Sequence, residues 1–326
     1  MARNKLIRCK KKSEIMLTEV SKELFRQHFL QNPHPFISEE FIDLVKHKTD
    51  KVVRLIESDH NVSIGLLAGI NDGILCSPFS APFGGFHFIY DEVVYEEIFR
   101  FIAHLKDYAI AEKLKKIQIT LPSDIYCSSI NAKCVNAFVR LGYTMNIPDI
   151  VNWINLNSYN GKSEKKPIRK NINRAIRNNL TFSHVSDEKQ MIEAYKIIYE
   201  NRKMLGREIH MNLSDLQEVN KIFPVDYFLV KNIKNECLAS AIIYRGHQKI
   251  IQAIFWGDIV PRTQVGVMDF LVMNLFNYYK NLGFDFIYLG RSSIDGIPNE
   301  GLIRFKEWHN CTSSLRFTFT WNPEMI

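Results

Sequence analysis

The chain has 326 residues, of which 46% are hydrophobic and 24% charged, and a formal net charge of +7. That length exceeds what one small core serves and suits two domains, and the composition is that of an ordinary globular protein rather than a disordered or fibrous one. No apolar run approaches the ~20 residues that span a bilayer, the basic start "MARNKLIRCKKKSEI" is not followed by the apolar stretch of a secretory signal, and the modest positive charge favours anionic partners without naming one.

In chain order, "SKELFRQHF" and "SEEFIDLVKHK" predict helices, each opened by a serine able to cap. "KVVRLIES" predicts a strand, and "SIGLLAGINDGILCSPF" a hairpin turning at "NDG". The stretch "SPFSAPFGGFHF", Ser77 to Phe88, then breaks the pattern, because two Pro-Phe units and a Gly pair exclude a continuous strand. Its Phe79, Phe83 and Phe86 either wall a ligand site or plug a gap between two domains. "VYEEIFRFIAHLKDYAIAEKL" has helical spacing, "KKIQITL" is a strand, "PSDIYCSSIN" a polar turn, "NAKCVNAFVRLGY" a helix and "VNWINL" the closing strand of the first half.

The polar segment "NSYNGKSEKKP" marks a boundary between an N-terminal domain over residues 1–160 and a C-terminal domain over residues 161–326. "IRKNINRAIRNN" is an amphipathic helix with Ile168, Ile172, Ala175 and Ile176 on one face. Lys162, Lys165, Lys166, Arg169, Lys170, Arg174 and Arg177 give this region a basic surface that serves either RNA phosphates or water. "LTFSHV" is a strand, "DEKQMIEAYKIIYENRKML" and "DLQEVNKIF" are helices, and "DYFLVK", "ECLASAIIYR" and "KIIQAIFWGDI" form an antiparallel meander. "VGVMDFLVMNLFNYYKNLG" is a helix, "FDFIYLG" a strand, "NEGLIRFKEWH" a helix and "SLRFTFTW" the last strand. Both halves thus run meander, long helix, strand, polar turn, helix, which predicts a duplicated α/β unit with mixed sheets.

The candidate site residues follow from this order. The loop "WGDIVPRTQVGVMDF" ends a strand and opens a helix at Val265–Gly266, and free N–H groups at a helix start bind anions. Arg262, Gln264, Val265, Gly266 and Val267 are its candidate cofactor-binding residues. Arg202, beside Lys203 and Arg207 at the end of a helix, either docks an anionic substrate or compensates the helix dipole. Arg291 and Ser292 leave the carboxyl end of "FDFIYLG", where polar groups commonly build a site. Asn299 fits the cap of the next helix, and Lys306, seven residues on, shares its face and points toward the strand end. His309 is a candidate general base. The six cysteines, Cys9, Cys76, Cys127, Cys134, Cys237 and Cys311, form no CxxC pair or cluster with histidine, so no metal site or disulfide framework is expected. Reduced cysteines fit a cytoplasmic protein.

The order strand, "PRTQVGV", long helix, "FIYLG", "RSS", "NEGLIRFKE", strand resembles the GNAT-type acyltransferase superfamily, and more narrowly its tandem Fem-like group. "SPFSAPFGGF", "RKNINRAIRNNLTF", "ENRKMLG" and "GLIRFKE" are similar to segments of that group, so the resemblance covers the chain from about Val52 to its end. It implies two tandem GNAT-like domains, the second carrying the main site with Phe83 of the first closing one side. It also implies transfer of an acyl group from acyl-CoA or another acyl carrier to an amine acceptor. The phosphate-loop pattern of that superfamily is kept only in part, at Gln264 and Gly266, while the lysine thought to assist transfer in Fem-type enzymes falls on Lys306. Two alternatives stand beside this reading: an aminoacyltransferase drawing on aminoacyl-tRNA for a cell-wall precursor, and a non-catalytic tandem domain that binds RNA or another anionic partner through Lys162–Arg177.

Overall fold

Short-range chemistry starts most elements where the sequence places them. The computed structural model describes residues 16–30, 34–58, 62–90, 92–209, 211–259 and 266–323. Strand β1 (Leu17–Glu19) leads to helices α1 (Lys22–His28) and α2 (Glu39–Val45), whose first turns are capped by the hydroxyls of Ser21 and Ser38. Strands β2 (Lys51–Glu57), β3 (Ile64–Asn71), β4 (Ile74–Ser77) and β5 (Phe86–Phe88) follow. β3 turns into β4 through Asp72 and Gly73, at φ 54° and 77°, the left-handed conformation that a two-residue hairpin turn needs to match strand twist. Helix α3 (Tyr95–Ala111) crosses to β6 (Lys116–Thr120), which lies parallel to β4. Helix α4 (Asp124–Arg140) then begins inside the expected polar turn, with a single non-helical residue, Cys127. The buried Asn131 amide donates to the Pro122 carbonyl at 2.9 Å, so a side chain a helix turn and more away supplies the start that the local sequence does not advertise.

After β7 (Thr144–Met145) and β8 (Asp149–Asn155) come α5 (Lys166–Arg177), β9 (Thr181–Val185), α6 (Glu188–Met204) and α7 (Leu213–Asn220). The meander β10 (Val225–Lys231), β11 (Cys237–Tyr244), β12 (Ile250–Asp258) is crossed by α8 (Val267–Asn281) to β13 (Phe286–Arg291), which lies parallel to β12. A small hairpin of β14 (Ser293–Ile294) and β15 (Ile297–Pro298), helix α9 (Glu300–Trp308) and strands β16 (Thr312–Arg316) and β17 (Thr318–Trp321) finish the fold.

The strands form two matching mixed sheets, β1-β2-β3-β4-β6-β17-β7 with β5 on β3, and β9-β10-β11-β12-β13-β8-β16. Each has one parallel pair, made by a helical crossover, at the same place in its order. The duplication is therefore real, but the halves exchange a strand. β8 precedes the boundary expected at 160/161 and lies in the second sheet, while β17, the last strand, lies beside β6 in the first. A cut between residues 160 and 161 does not separate the sheets, and "SLRFTFTW" is two strands rather than one. The reason is a shared ribbon. β7–β8 and β16–β17 run antiparallel to each other through both sheets, with Thr320 opposite Thr144 and Arg316 opposite Asp149. Each strand of the ribbon crosses between sheets in a few residues, too few to turn back.

Where the ribbon crosses, the Arg316 guanidinium donates to Asp149 Oδ2 at 2.8 Å and to the Pro82 carbonyl at 2.6 Å, with both charged groups buried. Removing one partner of a buried pair strands the other charge, so Arg316→Met is expected to cost about 3 kcal/mol in urea unfolding. An unchanged midpoint would mean that the pair contributes nothing at the crossing. Pro82 also begins the answer for Phe83. Its ring is fully buried among His34, Phe36, Tyr126 and Tyr288, the last reached across the sheets at 5.7 Å between ring centroids. This packing is a plug between the two halves and leaves no face of Phe83 for a ligand.

Candidate active site

The parallel pairing of β12 and β13 stops at Gln252 and Tyr288. Two irregularities drive them apart. β12 carries an extra residue, Ile254, against β11, and β13 bulges between Tyr288 and Arg291 against β8, with Gly290 at φ 72°. Among the described residues, no strand lies beside the edge of β12 that faced β13 from Ala253 onward. Backbone N–H groups along such an edge are fixed donors of the kind that stabilise a developing oxyanion. Trp256 of β12 and Phe305 of α9 meet across the gap, with ring centroids 5.8 Å apart. The equivalent gap in the first sheet is closed, because Gly84 N–H donates to the Thr120 carbonyl beyond the end of β4 and Gly85 N–H donates to Ser77 Oγ.

Lys306 is fully buried beneath the end of β13. Its Nζ donates to the carbonyls of Leu289, Gly290 and Arg291 at 2.9, 3.0 and 3.2 Å. Three acceptors match the three protons of an ammonium and one more than an amine can serve. Burial opposes that charge and pushes the group down to about 7, while Cys311 beside it is a thiol that burial pushes up to about 12 and so stays neutral. The three-carbonyl seat decides for the charged form at and below neutral pH. The lysine thereby braces the bulge of β13 and places a positive charge in the low-dielectric interior beneath the end of that strand.

Helix α9 is set by its cap. Asn299 Oδ1 accepts from Leu302 N–H at 3.0 Å, and Asn299 N–H donates to the Ser292 carbonyl at 2.8 Å. At its other end His309 is buried, with Nδ1 2.7 Å from the Phe305 carbonyl and Nε2 3.1 Å from Asp269 Oδ1, off the line of a straight hydrogen bond. Asp269 Oδ2 accepts from Asn171 Nδ2 of α5 at 2.7 Å. Gly266, at φ 67°, opens α8 against the same residue, and a Cβ there would lie 2.4 Å from the Asn171 carbonyl oxygen.

No family model and no curated protein matches the sequence. Solved structures do match it in shape. FemX superposes with a TM-score of 0.66 at 11% identity, over 95% of this chain and 98% of its own. The L-PGS of Bacillus licheniformis does so at 0.57 and 14%, over 91% and 90% of the two chains. A tandem GNAT protein from the clavulanic acid biosynthesis pathway gives 0.55 and 8%, over 95% and 98%. The chain has a tandem GNAT-like fold.

Within that fold the gap between β12 and β13 is the splayed parallel pair of the second GNAT-like domain, and the expected residues fall around it unequally. Arg291, Ser292, Asn299 and Lys306 converge on the end of β13, but mostly through structure. Asn299 spends its side chain on the cap. Ser292 is buried and its hydroxyl donates to Asn152 Oδ1. Arg291 is half-exposed, 3.7 Å from Asp149, and remains near enough to the surface to meet a ligand. His309 is a clamp between α8 and α9 whose two ring nitrogens both face oxygen atoms of the protein, which leaves neither free as a base. Arg202 lies on α6 with its guanidinium 5.7 Å over the Phe255 ring of β12. Burial, helped by the neighbouring Arg207, pushes it below its ordinary value. Arg262, Gln264 and Val265 lie outside the described residues.

Of the phosphate loop, Gly266 and Val267 remain to be judged. Val267 is buried, Gly266 is closed off by Asn171, and the first turn of α8 carries the Asp269 carboxylate. Gly266 and Val267 thus pack against the protein at that helix start, and the rest of the expected cofactor loop lies outside the described residues. Among the described residues there is no group of three or more His, Cys, Asp or Glu able to hold a metal ion, and no helix long and apolar enough to cross a membrane. Sequence reading missed Asp269, Asn171, Asp149 and Arg316. A carboxylate three residues into an apolar helix was the one visible signal, and it reads equally as dipole compensation.

Proposed function

We propose that the chain is an N-acyltransferase that moves an acyl group from an activated carrier to an amine, with its site in the splay of the second GNAT-like domain. The observation that supports this most is the Lys306 ammonium, buried under the end of β13 where the pairing of that strand with β12 stops. Attack of an amine on an acyl carbonyl forms a tetrahedral oxyanion. Fixed N–H donors and a desolvated cation lower its energy without reorganising, each on the order of 3 kcal/mol. Arg291 and Arg202 at the rim supply charge for an anionic carrier or acceptor. Incubating the protein with a panel of acyl-CoA thioesters, acylated carrier protein and charged tRNA, each with mixed amines, and following products by mass spectrometry tests the reading. Formation of no N-acyl product from any donor would leave a binding domain instead.

A second reading, transfer from aminoacyl-tRNA, is favoured by α5. Its buried face is Ile168, Ile172 and Ala175, and Lys165, Lys166, Arg169, Lys170 and Arg177 are exposed, along a helix that abuts the start of α8. A polyanion lying along this face would arrive beside the splay. Changing Lys166, Lys170 and Arg177 to Glu is expected to lower tRNA affinity and flatten its dependence on salt by roughly two to three in log–log slope. Equal affinity and slope in the variant would remove the polyanion reading and leave a soluble carrier thioester.

A further inference from the structure

Three polar side chains link elements that the proposed chemistry treats separately. Asp269 sits in the first turn of α8. It holds Asn171 of α5 on one oxygen and faces His309 of α9 on the other. His309 in turn bonds the carbonyl of Phe305, the residue before Lys306, and its own N–H donates to the Lys306 carbonyl at 3.0 Å. Cys311 N–H donates to the same carbonyl at 3.1 Å. The backbone of Lys306 is therefore fastened at the C-terminal end of a nine-residue helix, while Asn299 fastens the other end. A helix this short has little stiffness of its own, and its register depends on these two attachments. Without the clamp, α9 is free to slide or fray, and the Nζ atom loses its fit to three carbonyls spaced along a bulge.

We propose that Asp269 is a positioning residue for the transfer, coupling the first turn of α8 and Asn171 of α5 to the seat of the Lys306 ammonium through His309. This rests on the role given to Lys306 above. Asp269 does not touch the reacting atoms in this view. It transmits the position of the α8 start to the charge beneath the end of β13.

The test reads the lysine directly. Full-length protein labelled with 13C at the lysine ε position is titrated by NMR, with Lys306→Arg used to assign the Lys306 resonance. The wild type should show one lysine titrating well below the others. Asp269→Ala should raise that midpoint by about one pH unit or more, because a loosened seat admits water to the amine. Asp269→Asn should restore most of the wild-type value, since its amide oxygen keeps the place facing His309 Nε2 and the Asn171 carboxamide can turn to meet its nitrogen. If Asp269→Ala fails to fold, Asn171→Ala cuts the same chain from its half-exposed outer end and should shift the midpoint the same way by a smaller amount. An unshifted midpoint in a folded Asp269→Ala or Asn171→Ala, or a wild type with no low-titrating lysine, overturns the coupling. A Lys306→Ala protein that transfers at the wild-type rate would instead overturn the catalytic reading, whatever the titration shows.

Discussion

Lys306→Ala is expected to lower acyl transfer by roughly a hundredfold or more, the usual scale for one group that stabilises an oxyanion. The loss should fall on kcat with KM little changed, because the ammonium is beneath the strand and helps charge that exists only in the transition state. The same lysine gives stability a pH dependence whose sign is fixed. In the unfolded chain it titrates near 10.5, and in the fold burial brings it down to about 7. Below about 7 both states carry the proton, and the folded state bears the whole cost of the buried charge. Between about 7 and 10.5 the folded state sheds a proton that the unfolded state keeps, so stability rises with pH, by about 1.4 kcal/mol per pH unit at most for one group. Lys306→Met removes that rise. Urea midpoints of the wild type and Lys306→Met at pH 6, 8 and 9.5 should therefore diverge in favour of the wild type as pH increases. A constant difference across that range would mean that the buried amine does not titrate there.

The second large effect concerns the far end of the chain. Phe319 stacks on Phe138 with centroids 4.6 Å apart, and Trp321 is buried in the same core, beneath Lys106. Both belong to β17, yet the core they fill is that of the first sheet, with Val53, Leu66, Phe101 and Ile117. Phe319→Ala is expected to cost about 3–5 kcal/mol, the range for emptying a buried aromatic site. Hydrogen exchange should place the loosening in residues 51–145, not in the second sheet that the neighbouring β16 belongs to. Loosening confined to residues 181–258 would contradict the strand exchange.

The mechanism inherits one consequence from that exchange. β8, which flanks β13, and β16 beyond it are continuous with strands of the first sheet. The strand end that carries Leu289 to Arg291 is thus braced by both halves of the protein. Tyr288, one residue earlier, packs on Phe83 and Tyr126 of the first half. A site described as belonging to the second domain is supported by the first.

What the sequence by itself determined is the set of features that act over a few residues. Ser21, Ser38 and Asn299 cap helices because an oxygen placed before a first turn meets an N–H two or three residues on. "NDG" turns a hairpin because Asp72 and Gly73 tolerate positive φ. Lys306 points to the strand end because seven residues are about two helical turns from its cap. Tertiary structure alone decided the rest. Period-two alternation tells a strand which face to bury but not which sheet to join, so nothing in "VNWINL" or "SLRFTFTW" announces the shared ribbon. Asp149 meets Arg316 across 167 positions and Asn171 meets Asp269 across 98. Such pairs leave no local trace, because a buried charge is made tolerable by a partner that only the folded chain brings to it.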